Sequence, residues 1–342
     1  MKVLYIGQYS SGTTSKMRAD ILRELLIPSK FEVIDTHVPF YNTSKIWRSI
    51  GFRYKIGRLI SETNNYVLEE LKKLNLFNFD LIWIDKGIFF KPSTLKFLKK
   101  QTIKLVHFTP DMAFYQNKSK RFEKSMPFYD FLVTTKTSEL KFYRKKVDNE
   151  KIILTTQGFS KAIHKPFHKF EDKDDAVVFI GLAEPHRLSI AARILDSKIN
   201  LKLVGKGWGK FVEKYKGNEN LTYLGETIYD DEYSKLISSS MFGLGLLSKR
   251  FPELHTTRTF EIPACRTALL TERNQETQSF FQETEAIFYE NTDELIKKVK
   301  YYQEDTNELE LITRRGYDRV NLEGYDYYSL LKNIIVKINK EN

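Results

Sequence analysis

Cysteine is almost missing from this chain of 342 residues, which contains one, Cys265. A single thiol excludes an intrachain disulfide framework and a zinc site built on cysteines. Histidine is also scarce, with six residues, and none stands in the H-E-x-x-H spacing of a zinc-binding helix. The sequence therefore supports no metal site.

Long apolar runs are absent as well. No stretch approaches the roughly 20 apolar residues that a membrane-spanning helix needs. The first apolar segment, residues 3–6, is too short for a secretory signal and is predicted to be a strand. We therefore expect a cytoplasmic protein. Any contact with the inner face of the membrane would then be electrostatic and would depend on the charge of the protein.

Positive charge is concentrated in the first half of the sequence. The net charge is +11, and residues 1–150 contain 27 Lys and Arg against 15 Asp and Glu. Residues 151–342 contain 28 against 29 and are close to neutral. A basic surface attracts phospholipid headgroups, nucleic acid or an anionic acceptor. A lysine-rich surface that only faces solvent is the alternative.

Short apolar runs alternate with helical patterns in two successive series. The first predicts strands at residues 3–6, 32–35, 81–85, 104–108 and 131–134, with helices at 16–26, 44–74 and 92–99. The second predicts strands at 176–181, 201–205, 221–224, 242–247, 267–271 and 287–289, then a mostly helical tail over 293–338. This order is typical of α/β domains with a parallel sheet and helices on both faces.

The restart of the pattern indicates two Rossmann-like domains. We expect an N-terminal domain at residues 1–160, a charged linker at 161–175, and a C-terminal domain at 176–342 whose helical tail packs back on the first domain. Ligands of such sheets bind beyond the carboxyl ends of the strands. Two domains in series then place a central cleft between their sheets, where we expect the functional residues.

Polar residues follow the predicted strands of the first domain. Residues 7–12 form a Gly/Ser loop that could contact a phosphate or a sugar, or be an ordinary βα turn. His107 and Asp111 stand at the end of another strand, where either could position an acceptor hydroxyl or act as a base. An aspartate before a helix is also a common N-cap, and Asp85 has the same ambiguity.

Glycines and cations follow the strands of the second domain. Gly205 closes one strand, where glycine lets the backbone approach a ligand, and Lys206 could face a diphosphate. Arg187 stands shortly after Gly181, where a guanidinium could clamp a phosphate or lie on a helix surface. Asp172-Lys173-Asp174 matches the D-x-D metal motif of other sugar transferases, but its place in the charged linker favours a solvated segment.

Two glutamates eight positions apart are the most informative feature of the chain. Glu253 and Glu261 flank a loop that contains Thr256 and Thr257, and a helix is predicted over residues 260–265. Helix ends and a loop rich in threonine and backbone N–H groups favour a bound phosphate. A carboxylate beside them can accept the hydroxyl groups of a sugar or a ribose. This combination indicates a nucleotide-sugar site.

These segments resemble the CgeB-like (spore maturation protein) glycosyltransferases. The resemblance is carried by residues 80–87, 107–111, 134–136, 179–181, Arg187, 258–265, 269–272, 287–289, Gly316, Arg319 and Val320. It implies the GT-B fold, with the acceptor mostly in the first domain and the donor nucleotide-sugar mostly in the second. It also implies a transferase without a catalytic metal or a separate cofactor, whose donor is UDP- or GDP-linked.

Family-4-type retaining glycosyltransferases carry an E-x7-E motif whose spacing Glu253 and Glu261 match. By that resemblance Glu261 binds the ribose of the nucleotide, and Glu253 approaches the donor sugar near its reacting face. Two departures concern this segment: Arg266 stands where the family has glycine, and the usual Glu-Pro-Phe-Gly pattern before the second glutamate is missing. Both make the role of Glu253 weaker than that of Glu261.

The resemblance also assigns the remaining donor-side residues. Thr256 and Thr257 lie by the diphosphate, and Arg187 or Lys206 stabilises the charge on the leaving phosphate as the glycosidic bond breaks. The predicted donor set is completed by Gly181, Gly205 and Arg258.

Together these features predict a retaining glycosyltransferase that moves a sugar to a saccharide, lipid-linked or protein acceptor in cell-surface polysaccharide biosynthesis. An anionic membrane is an expected peripheral partner. The alternatives are an epimerase or phosphorylase on the same fold, a non-catalytic assembly protein, and a nucleic-acid-binding protein that uses the basic face. The sequence has no recognition helix, zinc finger or aromatic RNP motif, which argues against a nucleic-acid-binding protein. Nucleic acid is therefore not an expected partner.

Overall fold

The computed structural model describes residues 1–74 and 78–340. The chain forms two compact units, one of Met1–Thr156 with Tyr328–Asn342 and one of Gln157–Tyr327. Each contains a six-stranded parallel sheet, so the prediction of two Rossmann-like α/β domains is confirmed. The residues predicted as a linker, 161–175, belong to the second unit.

The first unit alternates strands and helices. Its strands are β1 (Lys2–Gly7), β2 (Lys30–Asp35), β3 (Phe79–Asp85), β4 (Thr102–Thr109), β5 (Phe131–Thr134) and β6 (Ile152–Leu154). Its helices are α1 (Thr14–Leu26), α2 (His37–Asn42), α3 (Lys45–Tyr54), α4 (Arg58–Lys73), α5 (Pro92–Lys99), α6 (Lys120–Ser125) and α7 (Leu140–Tyr143). The sheet order is β2-β1-β3-β4-β5-β6, and the direction of winding reverses between β1 and β3. Such a switch point opens a crevice for a ligand.

The second unit repeats the alternation. Its strands are β7 (Asp174–Ile180), β8 (Leu201–Val204), β9 (Leu221–Tyr223), β10 (Ser240–Leu244), β11 (Ala268–Glu272) and β12 (Ile287–Tyr289). Its helices are α8 (Pro185–Asp196), α9 (Gly209–Lys214), α10 (Asp230–Ser238), α11 (Arg258–Ala264), α12 (Gln275–Phe280), α13 (Thr292–Glu304) and α14 (Thr306–Leu322), and α15 (Tyr327–Lys340) follows. The order β12-β11-β10-β7-β8-β9 is the Rossmann order, with its switch point between β7 and β10.

Apolar side chains are buried on both faces of each sheet, as expected for central parallel strands. In β1, Val3 and Tyr5 pack on one face together with Leu331 of α15, whereas Leu4 and Ile6 pack on the other. The alternation follows from the two-residue period of a strand. The last helix therefore contributes to the core of the first unit.

The second sheet shows the same alternation in its central strand. Val177 and Phe179 of β7 join a cluster that includes Leu295 of α13, whereas Val178 packs on the opposite face with Phe260 of α11. This packing positions α8 and α11 at the carboxyl edge of the sheet.

Among the described residues, no helix combines the length and the apolar character needed to cross a membrane.

The single long helix predicted over residues 44–74 is wrong, because a turn separates α3 from α4. Lys55 ends α3 in the left-handed region with φ 55°, and Gly57 follows with φ 90°. Glycine adopts such an angle without steric cost, and a Cβ at Gly57 would stand 3.0 Å from the Trp47 ring. The sequence does not mark this turn, because an isolated glycine such as Gly57 is also tolerated inside a helix.

Candidate functional site

Two glycine loops of the second unit are in contact where β7 and β8 end. Gly181 donates its N–H to Val204 O at 2.8 Å, and the Trp208 indole donates to Gly181 O at 2.9 Å. Gly205 has φ 146°, and a Cβ there would stand 1.9 Å from Gly181 O. The close approach of two backbones therefore requires glycine at this position. The structure brings both predicted glycines together, and the Lys206 side chain beside them is exposed.

Arg187 is a buried cation in the first turn of α8. Its guanidinium donates to Leu182 O and Leu246 O, each at 3.1 Å, so it joins the loops that follow β7 and β10. Glu184 Oε1 lies 3.4 Å from Arg187 Nη1. Burial lowers the pKa of Arg187 from its usual value, and the Glu184 carboxylate opposes this shift. Arg187 thus lies at the switch point rather than on the helix surface.

The start of α11 is attached to the end of β7 by Arg258. The Arg258 Nε–H donates to the carbonyl of Ile180, the last residue of that strand. Thr257 is the N-cap, and its carbonyl accepts the N–H groups of Phe260 and Glu261, each at 2.9 Å. The helix begins two residues earlier than predicted, and Arg258 and Thr257 both lie at the switch point.

A buried histidine that was not predicted from the sequence holds the loop before α11. His255 Nδ1 lies 2.5 Å from Glu276 Oε2, and His255 Nε2 accepts the N–H of Gln157 at 3.2 Å. Because Nε2 accepts, the ring proton is on Nδ1 and is donated to Glu276. The adjoining Thr256 is buried, and its hydroxyl has no hydrogen-bond partner within residues 1–74 and 78–340. No spacing in the sequence marks this pair.

Glu261 is 7% exposed and has two aromatic neighbours in the second unit. Tyr233 of α10 donates its hydroxyl to Glu261 Oε2 at 2.5 Å, and His164 Nε2 lies 3.6 Å from Oε1. Burial raises the pKa of Tyr233 well above its usual value, and the Glu261 charge adds to the effect. Burial lowers the pKa of His164, with Glu261 opposing. Two neutral groups therefore surround the carboxylate, which can still accept further hydroxyl groups.

Glu253 lies in the loop between β10 and α11 and is half-buried. Its negative charge favours the protonated form of Arg187, against the larger effect of burial on that pKa. The two predicted glutamates therefore have different neighbours. Glu253 is associated with the cation at the switch point, whereas Glu261 is held by Tyr233 and His164.

The first unit has a cavity of about 280 Å³ at its own switch point. Its aromatic wall consists of Phe40, Phe52, Phe89 and Phe90, and its polar lining includes Gln8, Thr36, His37, Asp85, Lys86, Asp111, Gln116 and Asn117. Gln8 follows β1 and Lys86 follows β3, so the cavity lies beyond the carboxyl ends of the strands. Aromatic walls with a few convergent polar groups are typical of small-molecule sites.

A buried ion pair that was not predicted from the sequence supports this cavity. Arg18 of α1 donates from Nε and Nη2 to the two oxygens of Asp85 at 2.7 and 3.0 Å. The same guanidinium lies over the Phe108 ring, 4.8 Å from its centroid. Bidentate pairs of this kind are strong and fix geometry. The sequence allowed either a ligand-binding or a structural role for Asp85. In the structure, both of its carboxylate oxygens accept hydrogen bonds from Arg18.

Asp111 faces the cavity as one member of a partly exposed ion pair. Lys86 Nζ lies 2.8 Å from Asp111 Oδ2. The alternative role as an N-cap is not observed, since the next described helix, α6, has Ser119 as its N-cap. The pair places one anionic and one cationic group at the edge of the cavity.

His107 lies in the core beneath the cavity and is 1% exposed. Its Nε2–H donates to Lys86 O at 2.9 Å, and its ring centroid lies 4.8 Å from that of Phe122 and 5.1 Å from that of Tyr129. Burial lowers the pKa of His107 to about 4. The imidazole is therefore neutral at pH 7 and contacts the backbone that carries the Lys86 side chain.

The described residues contain no group of three or more His, Cys, Asp or Glu side chains arranged for a metal ion. In the segment that matches D-x-D, Asp172 and Asp174 are exposed, and Asp174 pairs with Lys202. Lys173 between them is buried and donates to Ser238 O and to the Thr267 hydroxyl. The two carboxylates lie at the surface, but Lys173 is buried and β7 begins at Asp174, so only part of the predicted solvated segment faces solvent.

Comparison with known proteins finds a family model that matches part of the chain. Residues 187–335 match the family model described as glycosyl transferase-like. This span starts at Arg187 and contains Glu253, Arg258 and Glu261. No curated protein sequence matches the chain.

Solved glycosyltransferase structures share the fold of the whole chain. Anabaena Alr3699/HepE in complex with UDP-glucose has a TM-score of 0.65 at 13% identity, covering 99% of this chain and 100% of that chain. A trehalose-6-phosphate synthase studied for glycosyltransfer with retention has a TM-score of 0.67 at 12% identity, covering 100% and 99%. The lipopolysaccharide outer core galactosyltransferase WaaB in its apo form has a TM-score of 0.56 at 10% identity, covering 100% of both chains. The likeness establishes the GT-B fold.

Proposed function

We propose that this chain is a metal-independent hexosyltransferase that uses a nucleoside-diphosphate-sugar and retains the anomeric configuration. The observation that carries the proposal is the match of residues 187–335 to a glycosyl transferase-like family model. Within that span, Arg187, Glu253 and Glu261 lie at the carboxyl edge of a Rossmann sheet, where nucleotides bind. HepE binds UDP-glucose on the same fold, which supports a UDP-linked donor, with a GDP-linked donor as the alternative.

Glu261 is the proposed ligand of the ribose hydroxyls. A carboxylate offers about four acceptor sites, and the bond from Tyr233 together with the neighbouring His164 occupies only part of them. Tyr233 acts as a positioning residue, because its short hydrogen bond fixes the orientation of the carboxylate.

Arg187 is the proposed stabiliser of the leaving diphosphate. Negative charge develops on the phosphate oxygen as the bond to the sugar breaks, and a fixed cation in a site with little water stabilises that charge strongly. Lys206, Thr256 and Thr257 supply further donors along the diphosphate. Gly181 and Gly205 keep the loops close, and Arg258 holds α11 against β7.

The cavity of the first unit is the proposed acceptor site. Asp111 orients the acceptor hydroxyl or takes up its proton, and Glu253 approaches the donor sugar. The phenylalanine wall packs against the apolar face of a sugar ring. His107 is too deeply buried for contact with the acceptor, so we assign it the positioning of Lys86.

The acceptor is proposed to be a saccharide, a lipid-linked saccharide or a protein. A lipid-linked acceptor in cell-surface polysaccharide biosynthesis has support from the fold of WaaB, a lipopolysaccharide galactosyltransferase. The excess of positive charge in residues 1–150 supports a cytoplasmic protein in peripheral contact with the inner face of an anionic membrane. CgeB-like specificity is part of the same proposal.

Thermal unfolding with UDP-, GDP-, ADP-, CMP- and dTDP-sugars tests the donor assignment. A ligand at 100 times its Kd stabilises the folded state by about 2.7 kcal/mol and raises Tm. Glu261→Ala is expected to abolish the rise because the ribose loses its acceptor. Glu232→Ala on the exposed face of α10 is the matched control and should keep it. If no sugar raises Tm of the wild type, the proposal is wrong; a normal rise in Glu261→Ala contradicts only the ribose role.

A further inference from the structure

One segment of the first unit combines basic and apolar side chains without any acid. Residues 36–61 contain Lys45, Arg48, Arg53, Lys55 and Arg58 but no Asp or Glu. The segment forms α2, α3 and the turn into α4. The first acid after it, at position 62, already pairs with Arg58. The local charge is therefore strongly positive.

Large apolar side chains of the same segment are exposed. Exposure is 73% for Ile46, 59% for Tyr54, 50% for Ile56 and 40% for Trp47. We refer to these four residues together with Lys45 and Arg53 as the α3 surface. Isolated exposed apolar residues are common, but a cluster bordered by cations marks an interaction surface.

The turn between α3 and α4 holds this surface in place. Gly57 packs closely beneath the Trp47 ring because it has no Cβ, and its φ of 90° is a second reason for glycine here. Lys55, two residues before Gly57 and also in the left-handed region, is buried and donates from Nζ to Phe52 O at 2.7 Å. Ile56 lies between these two fixed residues and is directed outward. The surface is thus a built feature of the turn.

We infer that the α3 surface binds the headgroup region of an anionic phospholipid bilayer. Trp and Tyr favour this region because one end of the ring is apolar and the other polar. Isoleucines can enter the acyl boundary while the cations contact the headgroups. A second copy of the chain fits less well, because two such basic surfaces would repel each other.

Two other residues of the same segment connect this contact to a function. Phe40 of α2 and Phe52 of α3 line the cavity of the first unit. Bilayer binding through the α3 surface therefore brings that cavity close to the membrane, as a lipid-linked acceptor requires. The inference rests on the membrane contact proposed above and does not depend on transferase activity.

Trp47 provides a direct measurement of binding. The chain has three tryptophans, and the other two, Trp83 and Trp208, are fully buried. With vesicles of phosphatidylcholine and phosphatidylglycerol, we expect a blue shift of Trp47 emission and quenching by brominated lipid. Phosphatidylcholine vesicles alone should give a much smaller change. The change should also decrease as salt screens the charges.

Two pairs of variants separate the apolar and the charged parts. Ile46→Ser/Ile56→Ser keeps the Trp47 reporter and should lower partitioning about tenfold or more. Ile27→Ser/Ile103→Ser, also exposed in the first unit, should not change it. Lys45→Gln/Arg53→Gln should lower partitioning about fivefold per cation. Lys72→Gln/Lys118→Gln, with the same net charge and exposed elsewhere, should have little effect.

The outcomes decide between the bilayer and other occupants. The inference is overturned if the wild type does not sediment with anionic vesicles, or if Ile46→Ser/Ile56→Ser sediments equally well. A dimer in solution that this variant converts to a monomer would instead make the α3 surface a self-association interface. Donor-dependent Tm shifts should be the same in all four variants, so failure here leaves the transferase proposal standing.

Discussion

The two units have sheets of the same size, yet their carboxyl edges contain different chemistry. The first edge is built around the buried pair of Arg18 and Asp85 and bears a cavity with an aromatic wall. At the second edge two glycine loops meet, and Arg187 and Arg258 donate to backbone carbonyls. Aromatic walls suit a sugar ring, whereas cations and close backbones suit a diphosphate. The fold thus sets where a ligand binds, and the loop residues set which ligand it is.

Removing the buried ion pair should produce the largest effect and act on the first edge alone. Asp85→Ala leaves the Arg18 guanidinium buried without its carboxylate, and we expect a loss of about 3–5 kcal/mol in the free energy of unfolding. Urea unfolding followed by fluorescence measures this loss, with buried Trp83 reporting on the first unit and Trp208 on the second.

The double variant Arg18→Met/Asp85→Leu is the control for this prediction. Without an unpaired charge, its loss should be clearly smaller than that of Asp85→Ala. Equal losses in the two variants would mean that packing at this position, and not the ion pair, stabilises the first edge.

Acid should destabilise the first edge through His107. Its pKa is about 4 in the folded state, compared with about 6.5 for an unperturbed histidine. Between these values the unfolded chain binds a proton that the folded chain does not, so stability falls as pH falls from 6.5 to 4. The slope is about 1.4 kcal/mol per pH unit, or about 3 kcal/mol over the window.

His107→Gln isolates this contribution. Glutamine can still donate to Lys86 O but does not titrate. As the pH falls, the free energy of unfolding of the wild type should therefore decrease more than that of the variant. Chemical unfolding at several pH values between 7 and 4 measures it. A constant difference across this range contradicts a neutral buried imidazole.

The strands of both edges could be predicted because buried parallel strands appear as short apolar runs. The bounds predicted for 131–134 and 287–289 agree with the structure, as does the helix at 92–99. The turn at Lys55 to Gly57 was not predictable, because it depends on the packing of the Trp47 ring on a glycine.

The side chains of the site were predictable only where they belong to one segment. The sequence placed Glu261 at a helix start, but its partner Tyr233 lies 28 positions away. Arg18 and Asp85 are 67 positions apart, and no spacing rule links them. Such pairs form when the sheet brings the elements together, so they require the tertiary structure.

Alanine at Gly205 should act on the second edge alone and with a smaller effect. A Cβ there would stand 1.9 Å from Gly181 O, and φ 146° is strained for any residue other than glycine. We expect a loss of about 1–3 kcal/mol in the free energy of unfolding as the loops separate, with a change in the near-ultraviolet signal of Trp208, which donates to the same carbonyl.

Gly209→Ala is the control, since its Cβ would meet nothing within 4 Å and it lies in α9. Because alanine favours a helix over glycine, that variant should be neutral or stabilised by up to about 1 kcal/mol. Equal stability of the two variants would show that the glycine loops tolerate separation, and that the second edge is less fixed than the first.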